Sequence, residues 1–130
     1  MSYIPKYIVK RMVPNDAVKA TPDGIEIQFV NVISPIGIET FPEGDLLGFL
    51  EVKMDGKALS DDEKKLIKIN FQNKIITVDN IRTMAGTTIA VGEKLGIQLP
   101  FKASPGEEHE IDVLIKLDHP FNLQVKRTIA

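Results

Sequence analysis

The feature that most constrains this chain is a period of two in its apolar residues. Ile25, Ile27 and Phe29 alternate with Glu26 and Gln28, and Leu95, Ile97 and Leu99 repeat the pattern in a shorter run. Ile111, Val113, Ile115 and Leu117 share a parity, as do Phe121, Leu123, Val125 and Ile129. Successive side chains of a strand point to opposite faces, so each run predicts a strand with one buried face. Tyr7–Val13, Leu50–Met54 and Leu66–Phe71 read as further strands, and Ile75–Val78 and Thr88–Val91 as shorter ones.

Turn chemistry falls between these runs. Asp23-Gly24 precedes the second strand, and Asp55-Gly56 follows Glu51-Val52-Lys53-Met54 as a hairpin signal. Gln72-Asn73-Lys74 and Ser104-Pro105-Gly106 separate other runs, and His119-Pro120 divides the last two. Helical signal is thin. Ser60-Asp61-Asp62-Glu63 carries an N-cap with Glu three residues on, enough for one turn. Asp79–Gly86 predicts a second short turn stopped by Gly86.

About eight or nine strands with turns every 8–12 residues define an all-β antiparallel β-sandwich, immunoglobulin-like or jelly-roll-like. Two sheets, each with one wet face, account for the alternation, and the unequal strand lengths favour a sandwich over a closed barrel. A length of 130 residues makes 1–130 a single domain.

Composition narrows the function classes. The absence of Cys removes disulfide scaffolds, Cys-ligated zinc, Fe–S clusters and thiol catalysis, and fits a reducing cytoplasm. A net charge of −2 opposes general nucleic-acid binding, which needs an excess of Lys and Arg. Met1–Lys6 lacks the apolar stretch of a signal peptide, and no long apolar run predicts a membrane span. The expectation is a cytoplasmic protein without membrane or nucleic-acid partners.

The residue types with catalytic potential are few. His109 and His119, with carboxylates near them, are the only histidines and the weak candidates for a divalent-metal site. Ten residues of extended chain would hold them about 33 Å apart, too far to share one ion. Glu43 and Asp45 share a long connection but match no hydrolase pattern, and neither Ser34 nor Ser104 has a His close in sequence. No residue is assigned a catalytic role, and no cofactor is expected in this chain.

The segment Ser34–Gly48 is long for a connection, and with Phe49 it is rich in apolar side chains: Ile36, Ile38, Phe41, Leu46, Leu47 and Phe49. Long connections are often functional, and an exposed apolar one marks a protein–protein surface. The same residues could instead plug one open end of the sandwich. On the first reading Phe41, Leu46, Leu47 and Phe49 are the interface anchors.

One succession of segments points to a family. Val18-Lys19-Ala20 and Asp23–Ile27 are followed by Leu50–Lys57, Ile76–Ile81 and Val91–Leu95, and the chain continues through Pro105-Gly106-Glu107-Glu108-His109-Glu110-Ile111-Asp112-Val113. This resembles the small β subunits of bacterial C-glycoside deglycosidases and their uncharacterised relatives, with the segment Ile33–Gly48 departing from that pattern. The resemblance implies a β-sandwich subunit bound to a TIM-barrel partner that carries a divalent metal and cleaves a carbon–carbon bond between a sugar and an aromatic aglycone. It implies no catalytic residue in the small subunit. The leading expectation is a non-catalytic accessory subunit docking on a larger enzyme. The alternatives are a stand-alone homo-oligomer formed by self-association, a module binding a small ligand, and a metal-dependent enzyme.

Overall fold

The computed structural model describes residues 2–3, 6–32, 35–38, 50–115 and 121–130. The elements begin with β1 (Ser2–Tyr3), α1 (Lys6–Met12), β2 (Val18–Thr21), β3 (Gly24–Val30) and β4 (Ile36–Ile38). Next come β5 (Leu50–Met54), β6 (Lys57–Ala58), α2 (Asp61–Lys64), β7 (Lys68–Phe71) and β8 (Lys74–Ile76). A 3-10 turn at Ile81–Met84 leads to β9 (Thr87–Ile89), β10 (Lys94–Leu99), β11 (Glu108–Ile115) and β12 (Phe121–Thr128).

Two five-stranded sheets carry the fold, ordered β1-β12-β11-β5-β6 and β2-β3-β10-β7-β8, with β4 and β9 forming a small third pair. All pairings are antiparallel except β1 with β12. The order β2-β3-β10-β7 reproduces strands A-B-E-D of the immunoglobulin arrangement, and β12-β11-β5 reproduces G-F-C. The fold is therefore an all-β sandwich, and of the two topologies expected the immunoglobulin-like one matches. Twelve strands form among the described residues rather than eight or nine. The excess includes β1, β4 and β6, pairings of two or three residues that are too short to show a period.

The inner faces meet in one core. Val18, Ile25, Ile27 and Leu99 come from one sheet and Val52, Ile111, Val113, Leu123 and Val125 from the other. A satellite cluster of Phe71, Ile76, Met84 and Ile89 packs with Ile69, Ile81 and Leu95.

The turns follow their sequence signals. Asp55 and Gly56 have φ of 53° and 82°, and Gln72 and Asn73 have φ of 50° and 62°. Positive φ at both central residues is the turn whose twist matches a two-residue hairpin. Ser60 and Glu63 form a reciprocal capping box on α2, at 3.2 and 3.1 Å.

One expected strand is a helix. Tyr7–Val13 falls largely in α1, because a strand there would set Arg11 on the same face as Val9 and Val13. A helix instead gathers Val9, Met12 and Val13 on one stripe, and all three are buried. Arg127 Nε and Nη2 donate to the Val13 carbonyl at 3.1 and 2.6 Å, satisfying an acceptor at the end of the helix. Two expected strands end differently: Leu66 is exposed in the turn before β7, and Val91 is exposed beyond β9.

Candidate functional site

The register of one sheet locates the apolar connection. Leu50 opens β5 and faces Ile115, which closes β11, and Ile115 faces Phe121, which opens β12. Segment 39–49 joins the sheet at Leu50, and segment 116–120 joins it at Ile115 and Phe121. These are the B–C and F–G connections, which in the immunoglobulin arrangement leave from the same end of the sandwich. Phe41, Leu46, Leu47 and Phe49 belong to the first and His119 to the second, so all five lie outside the described residues, as do Glu43 and Asp45.

The base of this end is built from polar contacts that the periodicity does not reveal. Asn31, directly after β3, is buried at 5% exposure. Its Nδ2 donates to the Ile89 carbonyl at 2.9 Å, its backbone N–H to the Glu93 carbonyl at 3.0 Å, and its own carbonyl accepts from Gly92 N–H at 2.7 Å. Asn31 thus clamps the start of the B–C connection to the turn between β9 and β10. Glu93 completes the turn by accepting from Ala90 N–H at 2.8 Å and from Gln72 Nε2 at 3.1 Å. Those bonds, the backbone one first, hold the Glu93 carboxyl below its ordinary value. Val91 projects from this turn, 54% exposed. The signal for Asn31 was an isolated amide inside the apolar run Phe29-Val30-Asn31-Val32. A polar side chain placed there is stable only when hydrogen-bonded.

His109 lies far from that end. It sits near the start of β11, whereas segment 116–120 follows the last residue of that strand, about 20 Å away at strand rise. His109 Nδ1 is 2.6 Å from Asp55 Oδ2, and Nε2 is 3.5 Å from Glu107 Oε1. Asp55 Oδ1 accepts from Glu110 N–H at 2.9 Å, and Glu107 Oε1 from Ser104 N–H at 2.7 Å. The cluster ties the β5–β6 hairpin, the start of β11 and the Ser104–Glu107 turn together. A neutral imidazole has one donor, so serving both carboxylates requires the imidazolium. Among the described residues no group of three or more His, Asp and Glu is arranged to hold a metal ion.

The cluster carries a pH dependence of definite sign. Its bond to Asp55, chiefly, raises His109 above the ordinary 6.5, so its contribution is complete below 6.5 and is lost as pH rises through the raised value. Asp55 and Glu107 are held below 3.8 and 4.5, first by the N–H groups of Glu110 and Ser104 and then by His109. Their contribution is complete above those values and is lost as pH falls through the lowered ones. On going from about pH 6 to about pH 9, the thermal midpoint of the wild type is expected to fall slightly more than that of His109→Gln. Parallel curves for the two proteins would show that the cluster contributes nothing to stability.

In class, the protein is an immunoglobulin-like β-sandwich whose B–C end is fixed to the sheets by a buried amide. Among the described residues no helix is long and apolar enough to cross a membrane. No protein-family model matches the chain, and no curated protein matches it.

Proposed function

We propose that this chain is a non-catalytic accessory subunit that docks on a larger enzyme through the B–C end of its sandwich. The observation that supports the reading is the convergence of that end. The row Leu50–Ile115–Phe121 receives both the apolar segment 39–49 and the segment 116–120, and the Asn31 clamp sets exposed Val91 on the turn locked to the same connection. Large apolar and aromatic side chains on a fixed frame are what interface anchors require. Phe41, Leu46, Leu47 and Phe49 are the proposed anchors. The resemblance to small β subunits of C-glycoside deglycosidases makes a TIM-barrel enzyme acting on sugars or glycosides the proposed partner. Any divalent metal would then belong to that partner. The engagement of both His109 nitrogens by carboxylates agrees with a structural role for that histidine.

The Phe41→Asp variant tests the interface. Loss of a central aromatic anchor typically costs at least about 2 kcal/mol, so the partner's Kd is expected to rise at least about 30-fold. The thermal midpoint of the isolated chain should stay within about 2 °C of the wild type, as for a surface substitution. If Phe41→Asp unfolds the chain, the segment plugs the core and the interface assignment fails.

A further inference from the structure

The β2-β3-β10-β7-β8 sheet ends on β8, and among the described residues no strand pairs with its outer side. The hairpin geometry fixes what this edge offers. Gln72 and Asn73 form a two-residue turn, so Phe71 and Lys74, which flank it, exchange the first pair of ladder bonds. The pattern then alternates. At the next position Asn70 turns its backbone groups towards Gly96 on β10, and Ile75 turns its N–H and carbonyl outwards. Thr77, two residues on, is the next to face outwards. The Ile75 side chain is 60% exposed, so the edge is apolar as well as unpaired. Such an edge is a template for another strand.

Asn80 covers it. Its Nδ2 donates to the Ile75 carbonyl at 3.2 Å, and its Oδ1 accepts from the Thr77 N–H at 2.7 Å. Its backbone N–H donates to the Thr77 carbonyl at 3.2 Å. One residue thus takes the carbonyl of Ile75 and both backbone groups of Thr77, and its side-chain amide stands where the backbone of an added strand would. Asn80 is itself held in place, because its carbonyl accepts from Thr83 N–H at 2.9 Å and from Thr83 Oγ1 at 2.7 Å. The same turn carries Met84 into the cluster with Phe71 and Ile76, which ties the cap to the core below the edge.

We propose that Asn80 is a gate on this edge, which without it pairs with β8 of a second copy of the chain. The pairing that fits is antiparallel, about a two-fold axis at Ile75. Ile75 and its counterpart would exchange both N–H···O bonds, and Lys74 would lie opposite Ile76 of the second copy, so that no two lysines face each other. The Ile75 carbonyl that this pairing needs is the one that Asn80 holds. The gate concerns an edge strand and not segments 39–49 and 116–120, so it stands independently of the docking proposal.

The test is sedimentation velocity on the full chain over a wide range of concentration. Asn80→Ala removes both side-chain bonds, and Asn80→Asp keeps an acceptor for Thr77 but has no donor for Ile75. Both variants should keep their secondary structure and self-associate at least about tenfold more tightly than the wild type. Adding Ile75→Lys, which sets like charges against each other on the two-fold axis, should return each variant to wild-type behaviour. The proposal is overturned if the folded Asn80 variants associate no more than the wild type, or if their association persists with Ile75→Lys. It is also overturned if Ile75→Lys dissociates an oligomer of the wild type, since the edge would then already be open. Loss of the fold in both Asn80 variants would make the residue a structural support and would overturn the gate as well.

Discussion

Gly24→Ala is expected to lower the stability of the isolated chain by about 2–4 kcal/mol, a fall in thermal midpoint of roughly 10 °C or more. Gly24 opens β3 immediately after the Pro22-Asp23 turn, with φ of 155°, where L side chains are rarely found. A Cβ there would lie 2.0 Å from the Leu99 carbonyl oxygen and 3.1 Å from Phe101 N. Both neighbours are backbone, so no side-chain rotation relieves the clash. The adjacent pair Ile25↔Leu99 closes the β3–β10 ladder, and the two residues are 0% and 2% exposed. Any backbone movement that accommodates the methyl group must therefore open the ladder and disturb the core together. Urea unfolding of the two proteins measures the effect directly. A change smaller than about 0.5 kcal/mol, the scale of an ordinary surface substitution, would mean that the two strands do not approach this closely.

Ile111→Ala is expected to cost a similar amount, about 2–5 kcal/mol, for a different reason. Ile111 sits mid-way along β11 between Met54 on β5 and Val125 on β12, and it is 1% exposed. It belongs to the cluster that receives Ile25 and Ile27 from the opposite sheet. Truncation removes buried methylene groups and leaves a cavity that two paired neighbouring strands resist closing. Ile111→Val, which keeps most of the volume, should cost only about 0.5–1.5 kcal/mol. Leu114 on the same strand has the opposite parity and is only half-buried. Leu114→Ala should therefore cost less than Ile111→Ala. Equal losses at the two positions would contradict the sandwich, because they would place both faces of β11 in a core.

The sandwich was legible because period-two alternation reports the pleat itself. Ile111 and Val113 or Leu123 and Val125 cannot be moved to the other face without a register slip that exposes the whole set. The turns were legible for an equally local reason: Asp55-Gly56 and Gln72-Asn73 tolerate the positive φ that a two-residue hairpin demands. Tyr7–Val13 was misread because a short apolar run supports either period. What decides for the helix is the burial of Val9, Met12 and Val13 against residues distant in sequence.

The candidate site was less legible than the fold. Apolar content singled out Phe41, Leu46, Leu47 and Phe49. The row Leu50–Ile115–Phe121, which brings the ends of their segment beside those of 116–120, depends on strand register between distant residues. The partners of Asn31 are some 60 residues away in sequence, and Asp55 and His109 are 54 apart. Spacing along the chain therefore reveals neither the clamp nor the contact between His109 and Asp55.

Gentle affinity purification of the full chain from its own cells, read by mass spectrometry with stoichiometry, tests the accessory role most directly. The expected result is a TIM-barrel protein recovered in a fixed ratio to the 14.4 kDa chain, and lost when Phe41→Asp is the bait. Recovery of the chain alone or only with copies of itself, from cells grown on several carbon sources, would contradict that role.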